Sequence, residues 1–445
     1  MRLRRSIEQW YWFPTVRLPL RGRRSIPSCH GRPAQPSVRI SRSLTTIFAT
    51  DPFVLRRAPR PSELHRWPNA RLVFTAACVP VVWFSEPLTL GAQAAPSPVT
   101  FSSDSWRFTL GGYFKLDLIH DFGPTSSPDV FDPRAIAVDD GKGTNTRIQA
   151  RQTRLSLGME GAVEGKNLEL FLEGDFFGAG NTFRMRHAYA QYGGLLAGQT
   201  WTTFMDERNI PPTIDFETPL AAPLARQGLL RFTTALSKRS DLAFAIEESA
   251  PEVVIPPGVQ GTSEKTLPDF TARFRFTGSR GHVQLSGFVG RTGFRYDTGG
   301  TSDLTIGGVL ASARLHLFVR DVAYAEVAYG PGLGRYRGAA SAALDASGRL
   351  ETVDVVGVTA GYQHYWAERW SSNAVVSPVW VLSELADPTT STDNLNYAAL
   401  NLLYWFLKQR AWIGGEYLYG RRELQDGAHR SAQRIQIATR FNILK

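Results

Sequence analysis

From Trp106 to Leu118 the chain alternates without a break. Trp106, Phe108, Leu110, Gly112, Phe114, Leu116 and Leu118 fall on one face of an extended segment, and Arg107, Thr109, Gly111, Tyr113, Lys115 and Asp117 on the other. A helix cannot sort residues of period two, whereas a strand does so automatically. Such a strand divides an apolar medium from a wet one, and the rest of the chain must say whether the apolar medium is a protein core or lipid.

Charge is distributed very unevenly. Residues 1 to 95 hold 15 of the 50 Lys and Arg but only the acids Glu8, Asp51, Glu63 and Glu86, whereas the remainder is balanced. The overall +10 therefore belongs to a leader, and it gives no reason to expect a nucleic-acid partner. Both cysteines, Cys29 and Cys78, also lie in the leader, which leaves a thiol-free body suited to an oxidising compartment.

Within the leader, Arg66 and Arg71 precede an apolar run from Leu72 to Phe84 and then Gly91-Ala92-Gln93-Ala94-Ala95. Positive, apolar and small-residue regions in that order read as a signal peptide over 66–95, cleaved near Ala94 or Ala95. Residues 1–65 are rich in Arg, Pro and Ser without apolar periodicity, and read as a basic extension, unstructured or upstream of the true translation start. Residues 96–445 form the functional body.

No stretch of that body reaches 18 consecutive apolar residues, so helical membrane spans are excluded. Short alternating runs recur instead, as in Asp269 to Phe276, where Phe270, Ala272, Phe274 and Phe276 oppose Asp269, Thr271, Arg273 and Arg275. Strands are expected near 106–119, 147–161, 167–177, 182–192, 194–202, 226–236, 242–249 and 267–277. The second half continues with 282–292, 304–317, 321–329, 352–365, 371–382, 395–407, 411–422 and 431–441. The count is about sixteen, and the connections mostly alternate long with short, the pattern of a transmembrane antiparallel β-barrel with short periplasmic turns.

A soluble sandwich or propeller also alternates, but it brings blade repeats or sheet-switching connections, and the chain has no internal repeat. Trp106, Trp366, Trp370, Trp380, Trp405 and Trp412 fall near run ends, where the aromatic girdles of a membrane barrel sit. The connection 203–225 is an unusual loop to leave in water. It mixes Asp206, Glu207, Arg208, Asp215 and Glu217 with Phe204, Ile210, Ile214, Phe216 and the stiff Pro211-Pro212 pair. Folding into the lumen as a constriction loop would give its apolar residues something to pack against.

Several sequence blocks together resemble the DcaP-like porin family of Gram-negative outer membranes. They are Gly111-Gly112-Tyr113-Phe114-Lys115-Leu116-Asp117, Ala150-Arg151-Gln152-Thr153-Arg154-Leu155, Glu173-Gly174-Asp175-Phe176-Phe177-Gly178 and Arg184-Met185-Arg186-His187-Ala188-Tyr189. Ala197-Gly198-Gln199-Thr200-Trp201, Asp215-Phe216, Arg226-Gln227, Gly420-Arg421-Arg422-Glu423 and Arg434-Ile435-Gln436 continue the likeness. The resemblance implies a homotrimer of sixteen-stranded barrels in outer-membrane lipid, each passing small anionic, dicarboxylate-like solutes by diffusion and inserted by the barrel-assembly machinery. Where such barrels usually finish on an aromatic residue, this chain continues Asn442-Ile443-Leu444-Lys445 after Phe441.

The wet faces of the early strands supply the expected pore lining: Lys115, Arg151, Arg154, Arg184, Arg186, Arg226 and Arg231 as a basic ladder, with Tyr113, Asp117, Glu169, Glu173 and Asp175. Guanidinium forks match carboxylate geometry, and rings of them select anions. Arg151 and Arg154 have opposite parity, so both face inward only if the backbone is irregular between them.

The rival class is a barrel enzyme, a phospholipase or a protease. The body's His120, His187, His282, His316, His364 and His429 are scattered, and no Gly-x-Ser-x-Gly block or metal-ligand spacing accompanies them, so neither a catalytic site nor a cofactor is expected. Asp139-Asp140-Gly141-Lys142-Gly143-Thr144-Asn145, in the connection 120–146, has hard oxygens but not the Glu spacing of a Ca²⁺ loop, and reads as a solvated turn.

Overall fold

The computed structural model describes residues 99–443 apart from 104, 105, 126, 140, 142, 218, 251 and 337–339. The leader, with the signal peptide expected over 66–95, lies outside the described residues.

Sixteen antiparallel strands close into a barrel. β1 is Trp106–Phe122, β2 is Thr144–Gln149 continued by Arg154–Val163, β3 Lys166–Asp175, β4 Arg184–Tyr192 and β5 Leu195–Trp201. β6 is Arg226–Ser237, β7 Ser240–Glu247, β8 Gly261–Gly278, β9 Gly281–Tyr296, β10 Thr301–Leu317 and β11 Asp321–Pro331. β12 is Asp354–Ala367, β13 Trp370–Val376 continued by Val379–Val381, β14 Thr392–Phe406, β15 Ala411–Leu424 and β16 His429–Asn442. Every expected strand is present, with boundaries shifted by a few residues.

Closure comes from β16 pairing with β1, from Tyr113↔Asn442 to Phe122↔Gln433. Where β16 ends, the segment Val99–Ser103 takes over and pairs with the start of β1 from Leu110 to Trp106. No strand edge remains open along β1, which is what a membrane barrel requires.

The alternation of β1 resolves as the sequence predicts. Phe114, Leu116 and Leu118 project outward and stay 41–58 % exposed, while Tyr113, Lys115, Asp117 and Asp121 point inward and are buried. The same rule puts Phe232, Phe244, Phe270, Leu285, Leu400 and Ile437 outside. An uninterrupted apolar outer surface on a closed barrel is stable only against lipid.

The interior departs from the simple picture of a polar tube. Three long connections fold inward: 123–143, 202–225 and 332–353. Their Phe131, Ile136, Phe204, Leu220, Leu333 and Tyr336 pack with inward side chains of β9 to β16, among them Phe288, Leu310, Val355, Tyr397 and Leu418. One side of the lumen therefore contains a hydrophobic core, and the charged wall of β1 to β6 faces what remains open. Above this core, Val253–Val254, Ala342–Leu344 and Leu350–Thr352 join two outer loops in a small sheet.

Candidate functional site

The connection 202–225 follows the inside of the barrel as a strap, and each stage of its path is fixed by the wall. At its root, the Glu247 carboxylate of β7 accepts hydrogen bonds from Thr203 N–H at 2.7 Å and from the hydroxyls of Thr202 and Thr271 at 2.6 and 2.8 Å. Farther on, Asp206 accepts from Ser312 Oγ at 2.6 Å and lies 2.8 Å from His282 Nε2 and 3.4 Å from Arg275. Asn209 then donates to the Ala325 carbonyl at 2.9 Å, and Asn401 donates to that of Pro212 at 3.0 Å.

At the far wall Glu416 accepts from Ile214 N–H at 2.8 Å and Asp215 N–H at 2.7 Å. The Ile214 carbonyl accepts from Lys115 Nζ at 2.5 Å, and Asp215 pairs with Arg434 at 3.0 Å. The return limb is held by Ser377 Oγ, which accepts from Ala221 N–H at 2.8 Å. The contacts run through β7 to β16 and β1, so the expectation of an inward-folded loop holds. A backbone passing through a lumen needs partners for its polar groups, and the buried side chains of the wall supply them.

Asp206 experiences opposing influences. Burial pushes its carboxyl upward, but hydrogen bonds from His282 and Ser312, with the His282 and Arg275 charges, outweigh it and hold the group below the usual carboxylate range. The strap is thus anchored by a carboxylate that stays ionised.

Facing the strap is the basic wall. Arg154, Arg184 and Arg186 place their guanidinium carbons 5.7, 5.7 and 5.4 Å from the Phe216 ring centre, at the tip of the strap. Arg184 and Arg186 pair with Asp175 at 2.8 and 2.9 Å, and Arg186 also with Glu173 at 2.8 Å. Arg154 reaches Glu173 only at 3.9 Å and covers the Tyr113 ring at 5.4 Å. Arg226 lies over the Trp201 ring at 4.5 Å and, like Arg231, has no carboxylate within 4 Å among the described residues. Arg440, which sequence reasoning did not single out, adds a fifth guanidinium by stacking on Tyr113 at 4.1 Å. Two carboxylates against this group leave an excess of positive charge beside aromatic faces, a surface suited to planar anions.

The structure separates the expected pore-lining residues into two groups. Arg154, Arg184, Arg186, Arg226, Tyr113, Glu173 and Asp175 are brought together at the basic wall. Lys115 and Asp117 lie apart from that group: both are almost fully buried and paired with each other at 2.8 Å, and Lys115 is covered by the strap. Lys115 donates to Gln152 and to the Ile214 carbonyl, so its charge is used to hold the strap. Arg151 is likewise occupied, paired with Asp129 and donating to the carbonyls of Phe176 and Gly178. Arg151 and Arg154 do share the inner side, because β2 is interrupted between Gln149 and Arg154 as their parity demands. Of the strap residues, Asp206 and Asp215 are buried anchors, whereas Glu207 and Arg208 are exposed to the lumen. Glu217 is half-buried and donates its backbone N–H to Asp215 at 2.9 Å.

Sequence reasoning gave no anchoring role to Glu247, Glu416, Arg434 and Asn401, which are inward polar residues within strands. It also missed the loop 332–353, whose Arg335 pairs, buried, with Asp269 and whose Tyr336 packs against Phe204 and Phe288 at 4.9 and 4.8 Å. Their one signal is inward parity, Asp269 and Glu247 opposing each other in the β7–β8 register. Among the described residues no His, Cys, Asp and Glu cluster could hold a metal ion.

Comparison with known proteins agrees with this architecture. The crystal structure of the outer membrane channel DcaP of Acinetobacter baumannii superposes with a TM-score of 0.68 at 20% identity, covering 77% of this chain and 99% of that one. An anion-selective porin from Comamonas acidovorans gives 0.51 at 12% identity, covering 76% and 100%, and OmpT of Vibrio cholerae gives 0.51 at 12%, covering 77% and 99%. None of the curated proteins matches the sequence. The model of the DcaP outer membrane protein family matches residues 92–443, and the chain therefore belongs to that family, as a channel-forming barrel of the Gram-negative outer membrane.

Proposed function

We propose that this barrel passes small hydrophilic anions, dicarboxylate-like in size and charge, by diffusion and without covalent chemistry. The observation that carries the reading is Arg226. Its guanidinium is stacked on Trp201, has no carboxylate partner among the described residues, and stands beside Arg154, Arg184 and Arg186, whose charge Glu173 and Asp175 only partly offset. A carboxylate that enters here meets donors without displacing an existing ion pair. Fast release is expected because Arg154, Arg184 and Arg226 are only partly buried, and conduction needs weak binding. The Comamonas porin, described as anion-selective, shares the fold, so this architecture is compatible with such selectivity.

Planar-bilayer recording in a salt gradient tests the reading. A reversal potential of the anion-selective sign supports it, and a cation-selective sign overturns it. Three further parts of the proposal have their own checks. Homotrimeric assembly is read by cross-linking in membranes, export through a signal peptide over 66–95 by mass spectrometry of the mature N-terminus, and dependence on the barrel-assembly machinery by depletion of that machinery.

A further inference from the structure

The two ends of the barrel carry opposite charge. At the short-turn end, the connections after β2, β4, β6, β8, β10, β12 and β14 present Lys238 and Arg239, Arg280, Arg320, Arg369, and Lys408 with Arg410, against Glu164 and Glu368. At the other end, the connections 248–260, 297–300, 382–391 and 425–428 contain six acids and no Lys or Arg.

The basic turns also expose apolar side chains. Phe318 is 86 % exposed and Val319 75 %, immediately before Arg320, and Leu407 precedes Lys408. Trp366 and Trp370 flank the turn that bears Arg369, both exposed. A cation next to an exposed apolar group at the edge of an apolar band is the composition of a membrane-interface anchor, not of a surface meant for bulk water. Below these turns, on the outside of β12 to β16, a groove runs between Trp366, Trp370, Leu402, Tyr417 and Ile437, with Gly415 among its lining residues. Trp370 of β13 pairs with Tyr404 of β14, which pairs with Ile413 of β15. The turns bearing Arg369 and Arg410 thus lie at the head of this groove about two strand spacings, roughly 10 Å, apart.

We propose that the short-turn rim binds an anionic phospholipid of the periplasmic leaflet, with an acyl chain in the β12–β16 groove and the phosphate between Arg369 and Arg410. Charge complementarity selects the headgroup, and the groove fixes where the chain lies. The short-turn end faces the periplasm in barrels of this kind, so the lipid is a phospholipid of the inner leaflet.

The test uses the purified, folded barrel, its state read from heat-modifiable gel mobility, in native mass spectrometry with phosphatidylglycerol and phosphatidylcholine of identical chains. Phosphatidylglycerol is expected to be retained about tenfold more, at roughly a few-fold per contacting cation. Combining R369Q with R410Q should remove the preference and leave phosphatidylcholine adducts unchanged. Gly415→Leu, at a position where an added Cβ meets nothing within 4 Å, should lower retention of both lipids by filling the groove. Equal retention of the two lipids by the unaltered barrel overturns the proposal, as does a preference that survives the double substitution. Co-sedimentation with peptidoglycan sacculi that depends on Arg369 and Arg410, without any lipid preference, assigns the rim to the cell wall and also overturns it.

Discussion

The Glu416 carboxylate on β15 accepts the backbone N–H of Asp215 at 2.7 Å, and through this contact the barrel wall fixes the far point of the constriction strap. Ile214 N–H and Asn401 Nδ2 donate to the same carboxylate at 2.8 and 2.9 Å. Glu416→Ala leaves three buried donors without an acceptor, at a cost of about 1–3 kcal/mol for each group that water fails to reach. The barrel, held by its ladder, should still form, but the strap should detach locally. Single-channel recording should show larger and noisier conductance, whereas Glu416→Gln, which keeps one acceptor oxygen, should lie between that variant and the parent. Unchanged conductance in both variants would show that the strap does not set the aperture.

Selectivity should follow Arg226 and not the buried cations. Arg226→Glu reverses the charge of a residue that has no carboxylate partner among the described residues, beside three further guanidiniums. Its reversal potential should move strongly toward cation preference, while Arg226→Lys, which keeps the charge but loses the planar stacking on Trp201, should change it little. Arg184→Ala should have a weaker effect, because Asp175 already consumes much of that charge. A reversal potential indifferent to Arg226→Glu would remove this residue from the permeation path.

Lys115 makes the complementary case. It is almost completely buried, with its ammonium shared among Asp117, Gln152 and the Ile214 carbonyl. Lys115→Met strands the Asp117 charge beneath the strap, and breaking a buried pair in this way costs about 3–5 kcal/mol. Heat-modifiable gel mobility should therefore report unfolding at lower temperature, with ion selectivity little altered. A large selectivity change at unaltered heat stability would return Lys115 to the pore.

The strands were legible because the lipid outside is uniform: Phe114, Leu116 and Leu118 all answer to one apolar medium, so period two survives intact on that side. The inner side answers to different neighbours at each position. Lys115 and Arg154 look alike as inward cations of adjacent strands, yet one lies beneath the strap and the other stands at the open wall, and only the course of residues 202–225 distinguishes them. Contacts such as Glu416 to Ile214 join positions 202 residues apart, and no local pattern records them. The break in β2 was legible only in part: residues 147–161 read as one strand, and irregularity follows only where Arg151 and Arg154, of opposite parity, both face inward.

Asp206 sets the expected response to pH. Its folded value lies below the ordinary one, so the stability it lends to the strap is complete above the unfolded value of about 3.9 and is lost as the pH falls through the folded value. The Asp206 anchor itself should thus hold from neutral pH down to about 5, and any change of conductance that it causes should appear only below about 4. Asp206→Asn should show the loosened state at neutral pH. Loosening of the parent near neutral pH would mean that a different group controls the strap.

Gly361 of β12 tests the closeness of that packing. A Cβ added there would lie 2.9 Å from Pro211 Cγ, and one at Gly357, four residues earlier on β12, would lie 2.8 Å from the Ala221 Cβ. Both are nearer than carbon atoms approach one another, so the two limbs of the strap run directly against glycines of the wall. Pro211 is followed by Pro212, which limits the backbone's ability to yield. Gly361→Val should therefore displace the outward limb as a unit, costing about 1–3 kcal/mol in overpacking. Because the strap is already pressed against β12, displacement can only be toward the open side, and the single-channel conductance should fall. Gly415→Val, equally placed within β15 but facing outward with nothing within 4 Å, should leave conductance unchanged. Equal conductance for Gly361→Val and Gly415→Val would show that the strap yields without entering the passage.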